Sequence, residues 1–79
     1  MNIYQELMKA YREGLRVRII FRDGAVEPDT WILRVYEEFD FVPSDDYVNF
    51  YGDRVPYDRR ETLTCASSDF NSVRRVDFI

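Results

Sequence analysis

Six carboxylates crowd into eighteen residues of this chain: Glu37, Glu38, Asp40, Asp45, Asp46 and Asp53. They alternate with the rings of Tyr36, Phe39, Phe41, Tyr47, Phe50 and Tyr51, and no lysine or arginine interrupts them. Carboxylates at this density can serve acid/base catalysis, hold a cation, or meet a basic partner. Catalysis has the least support. The chain has no histidine, which removes the commonest general base and the histidine-activated serine and cysteine nucleophiles. Glu37 and Glu38 are neighbours on a predicted strand, so they point to opposite faces. Asp45 and Asp46 fall in a predicted turn, where carboxylates are solvated. No catalytic dyad results. Asp45, Asp46 and Asp53 offer oxygen donors of the kind a hard cation takes, but without the alternating ligands of a calcium loop, so no metal site is expected. Cys65 is the only cysteine. It shares a predicted strand face with Leu63 and reads as a small core residue, with nothing basic beside it in sequence to favour the thiolate. The glycines Gly14, Gly24 and Gly52 are isolated and make no phosphate-cradling loop, so no nucleotide cofactor is expected.

Recognition is the remaining use. Residues 1–35 carry five acids and six bases, residues 36–53 six acids and no base, and residues 54–79 four acids and five bases. The net charge of −4 therefore belongs to the middle stretch. Its carboxylates, set around Tyr36, Tyr47 and Tyr51, suit docking against a basic protein surface. Tyrosine supplies contact area at low entropic cost, and clustered charge steers association. The same residues have a plainer reading: Phe39, Phe41, Val48 and Phe50 form core while the acids keep an aromatic hairpin soluble. A second set has the opposite sign. Arg16, Arg18 and Arg22 lie on one outer strand face, Arg34 lies across the hairpin, and Arg74 and Arg75 lie in the last strand. If the first and last strands are neighbours these form one basic patch, which with nearby tyrosines is an RNA-binding surface. The net negative charge opposes that use, because phosphate neutralisation dominates nucleic-acid affinity. Direct nucleic-acid binding is thus the alternative and not the expectation.

The elements that position these residues follow from periodicity. Asn2 and Gln5 have capping-box spacing, Ile3, Leu7, Ala10 and Tyr11 share a helical face, and Gly14 suits a left-handed stop. From Leu15 the period becomes two, with Leu15, Val17, Ile19 and Phe21 inward. Asp23-Gly24 signals a turn, and Pro28-Asp29 an irregular continuation of it. A long second strand follows over residues 30–42. Pairing by residue numbers that sum to 52 matches Phe21 with Trp31, Ile19 with Leu33 and Val17 with Val35, and puts Arg18 opposite Arg34. A bulge near Glu37–Glu38 is expected to bend this strand. Pro43–Asp46 reads as a turn, Tyr47–Tyr51 as a third strand, residues 61–66 as a fourth, residues 67–73 as one tight helical turn, and residues 74–79 as a fifth strand. The fold expected is α+β and mostly β: an N-terminal helix, then a five-stranded antiparallel small barrel of SH3-like or Sm-like type. At 79 residues the chain reads as a single domain, 1–79. Without a disulfide, its thirteen aromatic residues must supply much of the core. The N-terminal stretch is interrupted by charge every three or four residues, and no apolar run approaches the ~20 needed to span a bilayer. A cytoplasmic protein without membrane contact is expected.

The first twenty-four residues resemble the Rof-like family of small acidic inhibitors of the transcription terminator Rho. Tyr4, Leu7 and Ala10 match the family's helix, Leu15, Val17, Ile19 and Phe21 its first strand, and Asp23-Gly24 its turn. The resemblance implies an Sm-like barrel and an acidic inhibitor, and it carries no contact residues. With the charge pattern it gives the expected function: a non-enzymatic, protein-binding inhibitor or regulator of a nucleic-acid-handling machine. Rho is one such target. A host defence complex inhibited by a phage-encoded nucleic-acid mimic is another.

Overall fold

A computed structural model of the chain describes residues 1–45 and 65–79. Helix α1 runs from Ile3 to Glu13, with the caps its sequence calls for. The Asn2 side chain accepts from the Gln5 amide at 2.8 Å, and the Gln5 side chain accepts from the Asn2 amide at 3.1 Å. Two of the four amides left orphaned at a helix start are so satisfied. Gly14 closes the helix at φ 65°, where any side chain would be strained.

Five strands follow: β1 (Arg16–Phe21), β2 (Val26–Val35), β3 (Phe39–Pro43), β4 (Ala66–Ser68) and β5 (Val73–Phe78). They form one antiparallel sheet in the order β4-β3-β2-β1-β5. A single 3-10 turn, Phe70–Ser72, joins the two outer strands, and the Asp69 carboxylate caps it through the Ser72 amide at 2.8 Å. The sheet is not closed among the described residues. What stands is a helix with a five-stranded antiparallel sheet, the α+β and mostly-β class expected.

One face of the sheet meets α1. Leu7 and Ala10 of the helix pack with Val17, Ile19, Ile32, Phe39, Phe41, Val73 and Val76, all buried. Phe39 is fully buried, its ring 5.6 Å from that of Phe41 and 5.8 Å from that of Phe70. Burying a side chain of this size is worth roughly 1.5–3 kcal/mol, so these rings stand in for the missing disulfide. On the other face, Leu33 and Val42 are buried with Trp31 and Cys65 against them.

The first hairpin departs from the expected register. Val17 pairs with Thr30 and Ile20 with Val26, so partners sum to 47 and then 46, not 52. The turn is short: the Phe21 amide donates to Ala25 O (2.9 Å), the Gly24 amide donates to Phe21 O (3.1 Å), and Asp23 Oδ1 accepts from the Ala25 amide. Pro28-Asp29 is not loop. It lies in β2 as the bulge where two residues oppose Arg18 alone, a place where the missing proline N–H costs nothing. Past that bulge the shift is odd, which turns the β2 side chains from Thr30 onward over. Thr30 and Ile32 therefore face the helix, while Trp31 and Leu33 join the opposite cluster, and Phe21 and Trp31 belong to different clusters. Arg18 stands across from Asp77, not Arg34.

The long second strand is also two strands. The chain reverses at Tyr36–Glu38, where the Tyr36 amide donates to Glu38 O at 2.8 Å, and Phe39–Pro43 returns along β2. The bulge is at Leu33, not at Glu37–Glu38. β4 begins where the expected fourth strand ends. The expected third strand Tyr47–Tyr51, the turn at Gly52–Asp53, and Leu63 lie outside the described residues. The helical turn is shorter than expected, because Ser67 and Ser68 belong to β4, and β5 begins one residue early, at Val73.

Candidate functional site

The β2–β3 turn carries the described part of the acidic stretch. Val35 and Phe39 pair at its base, which leaves Tyr36, Glu37 and Glu38 to cross it. All three are exposed, Tyr36 by 50%. Asp40 behaves differently from its neighbours. Its position in β3, opposite Arg34 and Ser67, turns its carboxylate onto the sheet, and only 5% of the residue is exposed. It accepts from Arg34 Nε at 2.5 Å, Ser67 Oγ at 2.5 Å and Tyr36 Oη at 2.9 Å. Burial alone would raise its pKa, but the hydrogen bonds from Ser67, Arg34 and Tyr36 outweigh that and hold it below the ordinary carboxylate range. The bond to Asp40 raises the Tyr36 phenol in turn. Asp40 is thus an internal anion and not the open docking carboxylate expected. It holds the exposed Tyr36 ring in place beside Glu37 and Glu38.

Asp45 is exposed but belongs to the far end of the same hairpin. The five residues of β3 separate it from the turn by roughly 17 Å. There Arg16 binds Asp29 with Nε (2.9 Å) and a terminal nitrogen (2.5 Å), and Ser44 Oγ donates to Asp29 at 2.5 Å. Asp29 raises the Arg16 pKa, chiefly by this hydrogen bond, with a smaller contribution from Asp45. The described acids therefore sit at two places. Asp46, Tyr47, Tyr51 and Asp53 lie outside the described residues.

The arginines are brought together in part. β1 and β5 are paired neighbours, as a common patch requires. Yet Arg16 is bound to Asp29, Arg34 to Asp40, and Arg75 to Asp77 at 3.1 Å. Arg18 faces Asp77 across the ladder. Arg22 and Arg74 are exposed. Arg22 stands on the rim of a cleft of about 440 Å³ floored by Phe21 and Phe41, with Ser67, Ser68 and Ser72 around it. Cys65 is half-buried and accepts from an Arg34 terminal nitrogen at 3.0 Å. Sequence reasoning missed this basic neighbour because it lies 31 residues away; only the β2–β3–β4 pairing brings the two together.

Among the described residues no group of three or more potential metal ligands converges, and no helix is long and apolar enough to cross a membrane. Comparison with protein-family models, curated proteins and solved structures finds no match.

Proposed function

We propose that this protein is a non-enzymatic binding module that docks an acidic, aromatic surface onto a basic protein of a nucleic-acid-handling machine and so inhibits or regulates it. The observation that carries the reading is the β2–β3 turn. Tyr36 is held by the Asp40–Arg34 pair, with two solvated carboxylates beside it. Fixing the ring in advance lowers the entropic cost of binding. The sheet order and the helical turn between β4 and β5 support a curled sheet of the SH3-like or Sm-like barrel type. The RNA-binding alternative is weakened by the three ion-paired arginines.

The resemblance of the first twenty-four residues makes purified Rho the first partner to assay. Titration of the labelled protein with Rho, and separately with mixed-sequence single-stranded RNA at physiological salt, tests the reading. Binding to the protein partner that weakens with salt, and no RNA binding, is the expected outcome. RNA binding in the micromolar range, lost on replacing Arg18, Arg22 and Arg74, would establish the alternative.

A further inference from the structure

Among the described residues, β5 is paired on one side only. The Ile79 amide donates to Arg16 O at 3.2 Å. Backbone groups alternate along an antiparallel strand, so Asp77 and Arg75, opposite Arg18 and Ile20, also direct theirs toward β1. Those of Val76 and Phe78 point the other way, and no described strand pairs with them. The strand is six residues long and holds no proline; its one irregularity is the bulge at Arg74, which leaves the regular stretch Arg75–Phe78 as the part of the edge that can pair.

Its side chains say what fits there. In a two-fold antiparallel pairing with a second copy, outward-facing residues must oppose outward-facing residues, so the axis passes through a residue. An axis at Arg75 sets arginine against arginine, and one at Asp77 sets aspartate against aspartate. Both are destabilising like-charge pairs. An axis at Val76 lets the two Val76 residues exchange both N–H···O bonds and sets Arg75 of each copy against Asp77 of the other. These are non-hydrogen-bonded positions, where Cα atoms approach to about 4.5 Å and side chains are nearest. The two side chains are accessible, at 66% exposed for Arg75 and 36% for Asp77, and the 3.1 Å ion pair they make within one strand would be shared with or exchanged for the pairs across the axis. β1 already sets Arg18 against Asp77, so the alternation of sign would continue from one copy into the next. Phe78 and Ile79, exposed by 38% and 61%, lie at the end of the same edge. Domains this small commonly gain stability by association.

We propose that the protein forms a homodimer through antiparallel β5–β5 pairing centred on Val76. Sedimentation velocity of the whole chain, over concentrations up to those of an NMR sample, is expected to show a monomer–dimer equilibrium. Arg75→Asp and Asp77→Arg should each weaken the dimer by at least about tenfold, because both symmetry-related pairs become repulsive. The double variant Arg75→Asp/Asp77→Arg should restore it. Circular dichroism checks that each variant folds. Amide exchange of the wild type supplies a readout that needs no variant: Val76, which exchanges both bonds with its own copy, should gain protection as concentration rises. A wild type that stays monomeric throughout would overturn the proposal. So would a dimer that survives both single reversals, or one that the double variant fails to recover while remaining folded.

Discussion

Replacing Asp40 with asparagine separates an internal carboxylate from an external one. The Asp40→Asn side chain keeps an oxygen for Tyr36 and Ser67 but removes the charge that Arg34 pairs with. Breaking one side of a buried ion pair costs about 3–5 kcal/mol. The Arg34 side chain is 26% exposed and that of Asp40 8%, so water recovers part of the loss, and ~2–3 kcal/mol is the expected cost. For a domain of this size each kcal/mol shifts the melting temperature by roughly 4–8 °C, which gives a fall of about 10–20 °C. Thermal and urea unfolding followed by circular dichroism would measure it. Glu37→Gln and Glu38→Gln, on the same turn but exposed, should stay within about 0.5 kcal/mol of wild type. An Asp40→Asn protein that melts within ~3 °C of wild type would refute the internal placement. So would equal destabilisation by all three changes.

Two further outcomes follow, one from a buried hydroxyl and one from the paired carboxylates. Thr30 is fully buried, and its hydroxyl has no hydrogen-bond partner among the described residues. Thr30→Val keeps the shape and the β-branching, so it should stabilise by ~1 kcal/mol and raise the melting temperature by several degrees; a lower melting temperature would mean the hydroxyl is satisfied. The second concerns acid. Asp29 is held low chiefly by its hydrogen bond from Arg16, and Asp40 by its bonds from Ser67, Arg34 and Tyr36 against the opposing effect of burial. A carboxyl depressed in the folded state stabilises fully above its unfolded pKa of about 3.9, and that stability is lost as pH falls through the folded value. Melting temperature should therefore be level at neutral pH and drop below about pH 4. Asp29→Asn and Asp40→Asn should each flatten that drop.

The helix was legible residue by residue because capping and the 3.6-residue period are local. Asn2, Gln5 and Gly14 each do what their types imply. β1, the helical turn and β5 were legible for the same reason. The register was not. Its parity depends on whether Pro28-Asp29 is counted as loop or as a bulge inside a strand, and apolar residues at both Ile32 and Leu33 allow either face of β2 to be the inner one. The tight Asp23-Gly24 hairpin signal was present and favoured the short turn. The acidic stretch was read by composition, which cannot tell a solvated carboxylate from one turned inward. The clue was alternation: Asp40 sits between Phe39 and Phe41, so burying both rings turns Asp40 toward the face where Arg34 waits. The Arg34–Cys65 contact had no local signal.

The central claim is that Glu37 and Glu38, placed beside a fixed Tyr36, meet a basic protein. The measurement that tests it most directly is the association rate with that partner, beginning with Rho, for wild type, Glu37→Gln/Glu38→Gln, and a control of equal charge change, Glu13→Gln/Glu27→Gln. The turn variant should fold as wild type does, associate about tenfold more slowly at low salt, and lose much of its salt dependence. The control should change little. Equal slowing by both variants, or none by the turn variant, would contradict a docking face at the β2–β3 turn.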